Sequence, residues 1–505
     1  MTGPRVPVGP LLWLTVWMAA VLVLSAVVFP SFRAPDEVAH FDRVVGIAES
    51  PQTAVDRYRP VAERVRGAAR AVGMTGAAGD VAPLTVADAD RRPLEAFRTA
   101  DDTSGIRNQM TQHPPAYYLL AAAVLQTLEG FGAGWSSVVA AVLALRLLGV
   151  ALVLFLPALT IIGARQWGLD AGGSVAAGIC VAAVPMLAHI GASVNNDTLL
   201  IGLGGVLTAQ LLCVATAPST DRARWASAPV VGLTALIALL TKGFALIVLG
   251  WLPLAYVVAP DGWRQRLHDL LIALTISSVG LAWWVRNLAV EGIIQPDHTA
   301  LPSAVSDFAV DTGWWVAFGV RRLVQRFWVE PDIATDITTY EPVAAVVLTL
   351  LVVSGSVIAM RRDQRGPAAV LLFPSVALFA VMTFGAWQLY TRTGQPFGIH
   401  GRYLYPALPG MGILAGATVS ALPSSWRWGT VSALLLVATA YQIRVLLAAL
   451  TFYWGPRRRG GLSDALAAVE AWTPLPISLL LVTGATLLVA VVALMAMFVR
   501  RQMAA

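Results

Sequence analysis

Apolar and polar residues alternate along this chain in blocks rather than in short periods. Leu11 to Pro30 carries no charge, and about 20 such residues suffice for a helix to cross the hydrocarbon core of a bilayer. Comparable runs recur at about 136–163, 172–192, 198–216, 227–241, 244–259, 267–289, 342–360, 367–386, 403–422, 429–449 and 476–499. Two long polar stretches, 31–112 and 290–341, interrupt them. A shorter apolar run, 114–130, is expected to be half-inserted or interfacial. The pattern predicts an all-α polytopic membrane protein with about twelve (11–13) transmembrane helices and two long extracytoplasmic loops. Residues 1–422 would form the main module and 423–505 a set of C-terminal spans.

The arginines orient this arrangement. Arg165, Arg222 with Arg224, Arg264 with Arg266, Arg361 with Arg362 and Arg365, Arg427, and Arg500 with Arg501 fall in alternate connections. The positive-inside rule makes those connections cytoplasmic. With Arg5 also inside, both long polar stretches face out, although Arg457, Arg458 and Arg459 run against the rule. Within the first polar stretch, Val55 to Val72 places Tyr58, Val61, Val65, Ala69 and Val72 on one stripe, with Arg57, Arg59, Arg64, Arg66 and Arg70 on other faces. That is the pattern of a basic amphipathic helix lying on headgroups. Gly73 to Asp90 reads as a loop.

Composition agrees with a membrane setting. Of 505 residues, 57% are hydrophobic and 13% charged, whereas charged residues make up about a quarter of soluble proteins. The net charge of +6 rests on arginine, since Lys242 is the only lysine. A basic balance in such a chain reports loop charge and anionic lipid, so no nucleic-acid partner follows from it. Cys180 and Cys213 lie inside apolar runs and read as small core residues.

The candidate chemistry sits at the ends of the apolar runs. Directly after the first, Ala34-Pro35-Asp36-Glu37-Val38-Ala39-His40-Phe41-Asp42-Arg43 gathers an acid, an imidazole and a guanidinium. Pro35 suits the first helical position, which puts Asp36 and Glu37 in the first turn and Asp36, His40 and Arg43 on one face. The dipole would lower the Asp36 pKa and desolvation would raise it, and the sequence leaves that contest open. The same predicted face receives His113, Tyr117 and Tyr118; Asn195, Asn196 and Asp197; Lys242, which divides two apolar runs; Arg286; and His400, Arg402 and Tyr403. Ionisable residues at membrane depth are costly and mark sites or pathways. Simpler roles stand beside this one: Asn195 to Asp197 as a helix cap, and Arg286 and Arg402 as side chains reaching for headgroups. Arg146, inside a span, reads as one half of a buried ion pair whose partner the sequence does not name.

Four of these stretches, in order, carry a family likeness. Pro35-Asp36-Glu37-Val38-Ala39-His40-Phe41, His113-Pro114-Pro115-Ala116-Tyr117-Tyr118, Asn195-Asn196-Asp197 and Gly401-Arg402-Tyr403-Leu404-Tyr405-Pro406 resemble the GT-C superfamily of polyprenyl-phosphate-sugar-dependent glycosyltransferases. Within it they look like a bacterial branch of predicted membrane proteins. The resemblance spans about residues 10–422 and implies sugar transfer from a polyprenyl-phosphate donor to a glycan or lipid acceptor. The reaction would take place on the extracytoplasmic face of the bacterial plasma membrane. It implies Asp36 as catalytic base or acceptor-positioning group, with Glu37 and His40 assisting it or, with Asp36, holding a divalent cation. Lys242, Arg286 and Arg402 become the candidates for the donor phosphate. Preference for arginine together with much Ala, Val and Gly suggests a high-GC genome, in which a decaprenyl-phosphate pentose or mannose would be the donor. Two other readings remain open at this point: a transporter or flippase of lipid-linked saccharides, and a polymerase or ligase using pyrophosphate-linked donors.

Overall fold

The computed structural model describes residues 6–56, 59–71, 92–130, 137–296, 305, 308–329, 340–361, 364–455 and 461–504. Arg5, Arg57, Tyr58, Gly73 to Asp90, Arg362 and Arg457 to Arg459 lie outside the described residues. The chain is an all-α, multi-pass membrane protein. In order come α1 (Val8–Val28), α2 (Glu37–Glu49), strand β1 (Pro60–Ala62), α3 (Glu63–Ala71), strand β2 (Thr103–Arg107) and α4 (Ala116–Gly130). Then follow α5 (Val138–Val153), α6 (Leu156–Gln166), α7 (Ala171–Ala182), α8 (Pro185–Gly191), α9 (Asp197–Thr216), α10 (Ala228–Leu239) and α11 (Val248–Val257). The remainder are α12 (Trp263–Ser278), α13 (Ala282–Glu291), α14 (Thr312–Trp328), α15 (Tyr340–Arg361), α16 (Arg365–Thr393), α17 (Leu408–Ser420), α18 (Ser424–Trp454), α19 (Leu462–Trp472) and α20 (Ile477–Met503).

Among the described residues, eight helices are long and apolar enough to cross a membrane, or nine if the bent pair α7–α8 counts as one. The expected twelve are not reached, because four apolar runs do not form straight helices of full length. Run 172–192 bends by 65° between α7 and α8, where Pro185 removes a backbone donor. Runs 227–241 and 244–259 become two short helices on either side of Thr241 and Lys242, and Lys242 itself is extended. Run 403–422 begins as a 3-10 turn, Gly401–Ala407, before α17. Helix α4 has 15 residues, about 22 Å at 1.5 Å per residue, and stops short of a full span. Those breaks, and not the long helices, supply the site's cations.

The first polar stretch is a folded cap. Strands β1 and β2 pair antiparallel, Pro60 opposite Arg107 and Ala62 opposite Thr103. Asp42 fastens this ribbon to α2, its Oδ1 accepting from the Ala62 N–H at 2.8 Å and its Oδ2 from Asn108 Nδ2 at 2.8 Å. The amphipathic helix expected over 55–72 is therefore corrected to a helix over Glu63–Ala71 alone. Val65 and Ala69 pack into the protein, and buried Arg64 pairs with Glu49, Glu95 and Asp102. That side chain spends its charge inside the cap, not on headgroups. The C-terminal helices close back on α1: Trp17 Nε1 donates to Thr439 Oγ1 at 3.1 Å, and Trp454 Nε1 to the Val28 carbonyl at 2.6 Å.

Candidate active site

Helix α2 starts at Glu37, not at Pro35. Asp36 is its N-cap in the left-handed region, φ 61°, and its side chain caps no N–H. A non-glycine residue tolerates that conformation at some cost, least when it is Asp or Asn. The twist turns the Asp36 carboxylate away from the helix axis and toward the break before α17. There Oδ2 accepts from Arg402 Nη2 at 2.6 Å, and Oδ1 accepts from Gln109 Nε2 at 2.9 Å. About a third of the side chain, 32%, stays exposed. Burial pushes the Asp36 pKa up, but the Arg402 guanidinium, with the neighbouring charges, outweighs it and holds the carboxyl below its ordinary range. The contest left open by the sequence is decided by an arginine 366 positions away.

Arg402 is the hub. Besides Asp36, its Nε lies 3.7 Å from Asp197 Oδ2, beyond hydrogen-bond distance. Neither its Nε nor its Nη1 finds a hydrogen-bond partner among the described residues, although both are buried. Asp197, the first residue of α9, accepts through Oδ1 from Lys242 Nζ at 2.6 Å. The Lys242 ammonium lies 4.9 Å from the centroid of the Tyr403 ring. Asn196 holds this corner together, its Nδ2 donating to the Thr241 carbonyl at 3.2 Å. Asn195 turns the chain: its Oδ1 accepts from the Asp197 N–H at 2.9 Å, and its own N–H donates to the Tyr117 hydroxyl at 3.0 Å.

The histidines frame the cluster without adding charge to it. His40 Nδ1 and the Tyr118 hydroxyl are hydrogen-bonded at 3.0 Å, and burial lowers the His40 pKa to about 3. His113, at the turn before α4, is buried with its Nδ1 unpaired among the described residues, and burial holds its pKa well below the ordinary value. His400 accepts from Arg326 Nη1 at 2.8 Å, with its pKa also depressed by burial and then by Arg402 and Arg326. Its ring lies 5.1 Å from that of Tyr403.

Two expected site residues fall elsewhere. Glu37 is fully occupied by Arg146, which bonds its Oε1 through Nε at 2.9 Å and its Oε2 through Nη2 at 2.7 Å. The Phe32 and Val194 N–H groups complete it at 2.7 and 3.0 Å. Arg146 also donates to the carbonyls of Ala26, Phe29 and Pro30. Glu37 is thus the clamp between the end of α1, helix α5 and the turn before α9, and has no free oxygen for catalysis. Arg286 is exposed on α13, whose inward face carries Trp284 and Asn287 instead, and no described contact joins it to the cluster. Nor do Asp36, Glu37 and His40 fit a divalent cation. A guanidinium already lies on Asp36, another on Glu37, and His40 is turned to Tyr118. Among the described residues no group of three or more His, Cys, Asp or Glu side chains is placed to hold one.

Gln109 and Arg326 were not among the sequence candidates. Gln109 lies four residues before the His113 motif, in the turn that follows β2. Arg326 belongs to α14, within the second polar stretch. This helix lies directly on the break that carries Arg402: the Tyr405 hydroxyl donates to the Phe327 carbonyl at 2.6 Å.

Fold and site together define a multi-pass α-helical membrane protein whose interrupted helices assemble a buried cluster of carboxylates and cations. The chain belongs to the family described as predicted membrane protein (DUF2142), whose model matches residues 20–411. No curated protein matches it. Among solved structures it is similar to ArnT from Cupriavidus metallidurans bound to undecaprenyl phosphate. The two are 16% identical with a TM-score of 0.47, covering 96% of this chain and 76% of that one. It is also similar to the Archaeoglobus fulgidus oligosaccharyltransferase in complex with Zn and sulfate, at 17% identity and a TM-score of 0.39, over 72% and 47% of the two chains. For AglB from the same organism, in complex with an inhibitory peptide and a dolichol-phosphate, the values are 13% and 0.39, over 86% and 58%.

Proposed function

We propose that this protein transfers a sugar from a polyprenyl-phosphate-linked donor to a glycan or lipid acceptor at the extracytoplasmic face of the bacterial plasma membrane. The observation that carries the reading is the Asp36 carboxylate, a third exposed and 2.6 Å from a buried Arg402 that keeps further N–H groups to offer. Asp36 accepts the proton of the attacking acceptor hydroxyl as that oxygen bonds to the anomeric carbon. The bond from that carbon to the phosphate oxygen breaks, its electron pair staying on the phosphate. Arg402, by its fork geometry, and Lys242, as a point charge, stabilise the negative charge that grows there. The formal charges of Asp36, Asp197, Lys242 and Arg402 cancel, so a bound phosphate is met by N–H donors of Arg402 that the two carboxylates do not occupy.

His40, His113, Tyr117, Tyr118, Asn195 and Asn196 act as the frame that fixes Asp36, Asp197 and the two cations, and Tyr403 offers a ring face beside Lys242. Helix α14 supports the enzyme reading over transport, because part of the second polar stretch packs onto the site as a cover would.

The test is transfer of labelled sugar from polyprenyl-phosphate donors, pentose and mannose among them, to envelope glycan acceptors by purified protein in lipid. Transfer that drops about 10²–10⁴-fold in Asp36→Asn is expected of a lost general base. Transfer that survives the substitution unchanged overturns the role of Asp36. Absence of transfer with every donor, alongside movement of lipid-linked saccharide across the bilayer, replaces the enzyme with a flippase.

A further inference from the structure

Arg402 is asked to do two things that compete. Its Nη2 is bonded to the only partly exposed carboxylate of the cluster, while its Nη1 and Nε are buried without hydrogen-bond partners among the described residues. A buried, unpaired N–H on a cation is costly, and the terminal edge of the guanidinium, Nη1 with the second N–H of Nη2, is the edge that a phosphate or carboxylate would take as a fork. Lys242 uses one of its three donors on Asp197. His113 Nδ1, at the turn before α4, is likewise buried and unpaired among the described residues. The unsatisfied groups of this cluster are Arg402 Nη1 and Nε on the donor side and Asn196 Oδ1 and Asp197 Oδ2 on the acceptor side; Nε faces Asp197 Oδ2 at 3.7 Å, and Nη1 is the donor that no carboxylate of the cluster faces among the described contacts.

We infer that Arg402 is shared between Asp36 and the phosphate of the donor, so that the carboxylate is masked in the empty site and released for proton transfer only once the phosphate is bound. The inference rests on the transferase reading and adds an order of events to it. In the empty site Asp36 is held by Arg402 and Gln109, and an ionised carboxylate with both oxygens occupied is a poor proton acceptor. A phosphate that takes the open edge of the guanidinium draws Arg402 off Asp36. The carboxylate, left among buried neighbours with only Gln109 on it, becomes more basic. The acceptor hydroxyl then meets a competent base only in the donor complex.

Competition makes a prediction that a simple base does not. Asp36→Asn keeps a residue that tolerates the left-handed conformation and removes the charge that holds Arg402. Affinity for polyprenyl phosphate is therefore expected to rise about tenfold even as transfer is lost. Removing any negative charge near a phosphate could tighten binding by lessened repulsion, so the decisive measurement is a double-mutant cycle. Binding of polyprenyl phosphate, of the matching polyprenol and of inorganic phosphate is titrated in lipid nanodiscs for wild type, Asp36→Asn, Arg402→Gln and the double variant. The folded fraction of each is checked by its melting curve. Sharing requires that the gain from Asp36→Asn disappear in the Arg402→Gln background. A gain that persists there is plain repulsion, and an unchanged or weaker affinity in Asp36→Asn means no competition; either overturns the inference while leaving sugar transfer standing. If Arg402→Gln does not fold, Arg402→Lys runs the same cycle. It keeps the charge but gives up the fork, and the gain is expected to shrink severalfold. Wild type that binds inorganic phosphate as well as the lipid would keep the shared arginine and remove the polyprenyl donor. Wild type that binds neither overturns both.

Discussion

Glu37 and Arg146, 109 positions apart, form a bidentate ion pair at 2.7 and 2.9 Å, both side chains almost wholly buried. The residue before Glu37 in the chain is Asp36, whose carboxylate is 32% exposed and paired with Arg402. Two adjacent acids thus point to different places, one into a buried clamp and the other to the Arg402 cluster, about a single positive φ. Removing one partner of a buried pair leaves the other charge uncompensated, at about 3–5 kcal/mol. Glu37→Gln is therefore expected to lower the melting temperature strongly, and Asp36→Asn, whose carboxylate is partly solvated, to lower it less. Thermal unfolding of both variants in the same lipid checks this, and equal losses would remove the distinction.

Stability should also depend on pH in one direction. His40 titrates near 3 in the folded protein, and His113 and His400 lie well below the ordinary value of 6.5. Between these values the unfolded chain binds protons that the folded chain does not, so stability rises with pH across the window from about 3 to about 6.5. Asp36, also depressed, loses its contribution only in stronger acid, below its unfolded value of 3.8. Melting temperature should fall steadily from pH 7 to pH 5, and the fall should be shallower in His40→Gln. A flat profile would mean these rings are protonated in the fold.

Arg402 does most to hold the Asp36 pKa down, and its loss leaves burial opposed only by the weaker effects of His40 and His400. The Asp36 pKa then rises, so the carboxylate takes a proton at higher pH and ceases to be a base there. Arg402→Gln is expected to lose about 10²–10³-fold in transfer and to show an acid limb in kcat/KM nearer neutrality than wild type. Rate loss without any movement of that limb would limit Arg402 to phosphate binding.

How much of this was readable beforehand follows from contrast. Asp36, His113, Asp197, Lys242 and Arg402 stood out because each is polar beside a long apolar run, and the structure brings all five into or against one cluster. Gln109 and Arg326 lie within polar stretches and carry no such contrast. The partner of Arg146 could not be named, since nothing local links a mid-span arginine to a loop glutamate. Arg286 was misjudged by helical phase: Trp283, Trp284 and Asn287 share the inward face of α13 and Arg286 does not. Hydropathy also merges what backbone geometry divides. The two helices on either side of the bend at Pro185 read together as one apolar run.

The contact between α14 and the Arg402 turn gives the last expectation. A Cβ on Gly401 would lie 2.4 Å from both the N and the Cα of Phe327. Both atoms are backbone, so no side-chain rotation relieves the clash, and the end of α14 must move. Two bonds cross the same contact, Tyr405 to the Phe327 carbonyl at 2.6 Å and Arg326 to His400 at 2.8 Å. Overpacking of this kind costs about 1–3 kcal/mol, and here the displacement falls on the turn that aims Arg402. Gly401→Ala is therefore expected to reduce transfer per folded molecule at least tenfold, and truncating the neighbouring side chain with Phe327→Ala should not restore it. Transfer assays on the single and double variants, with protease protection of residues 312–328 as the structural readout, decide the matter. Wild-type transfer and protection in Gly401→Ala would show that α14 does not bear on the site.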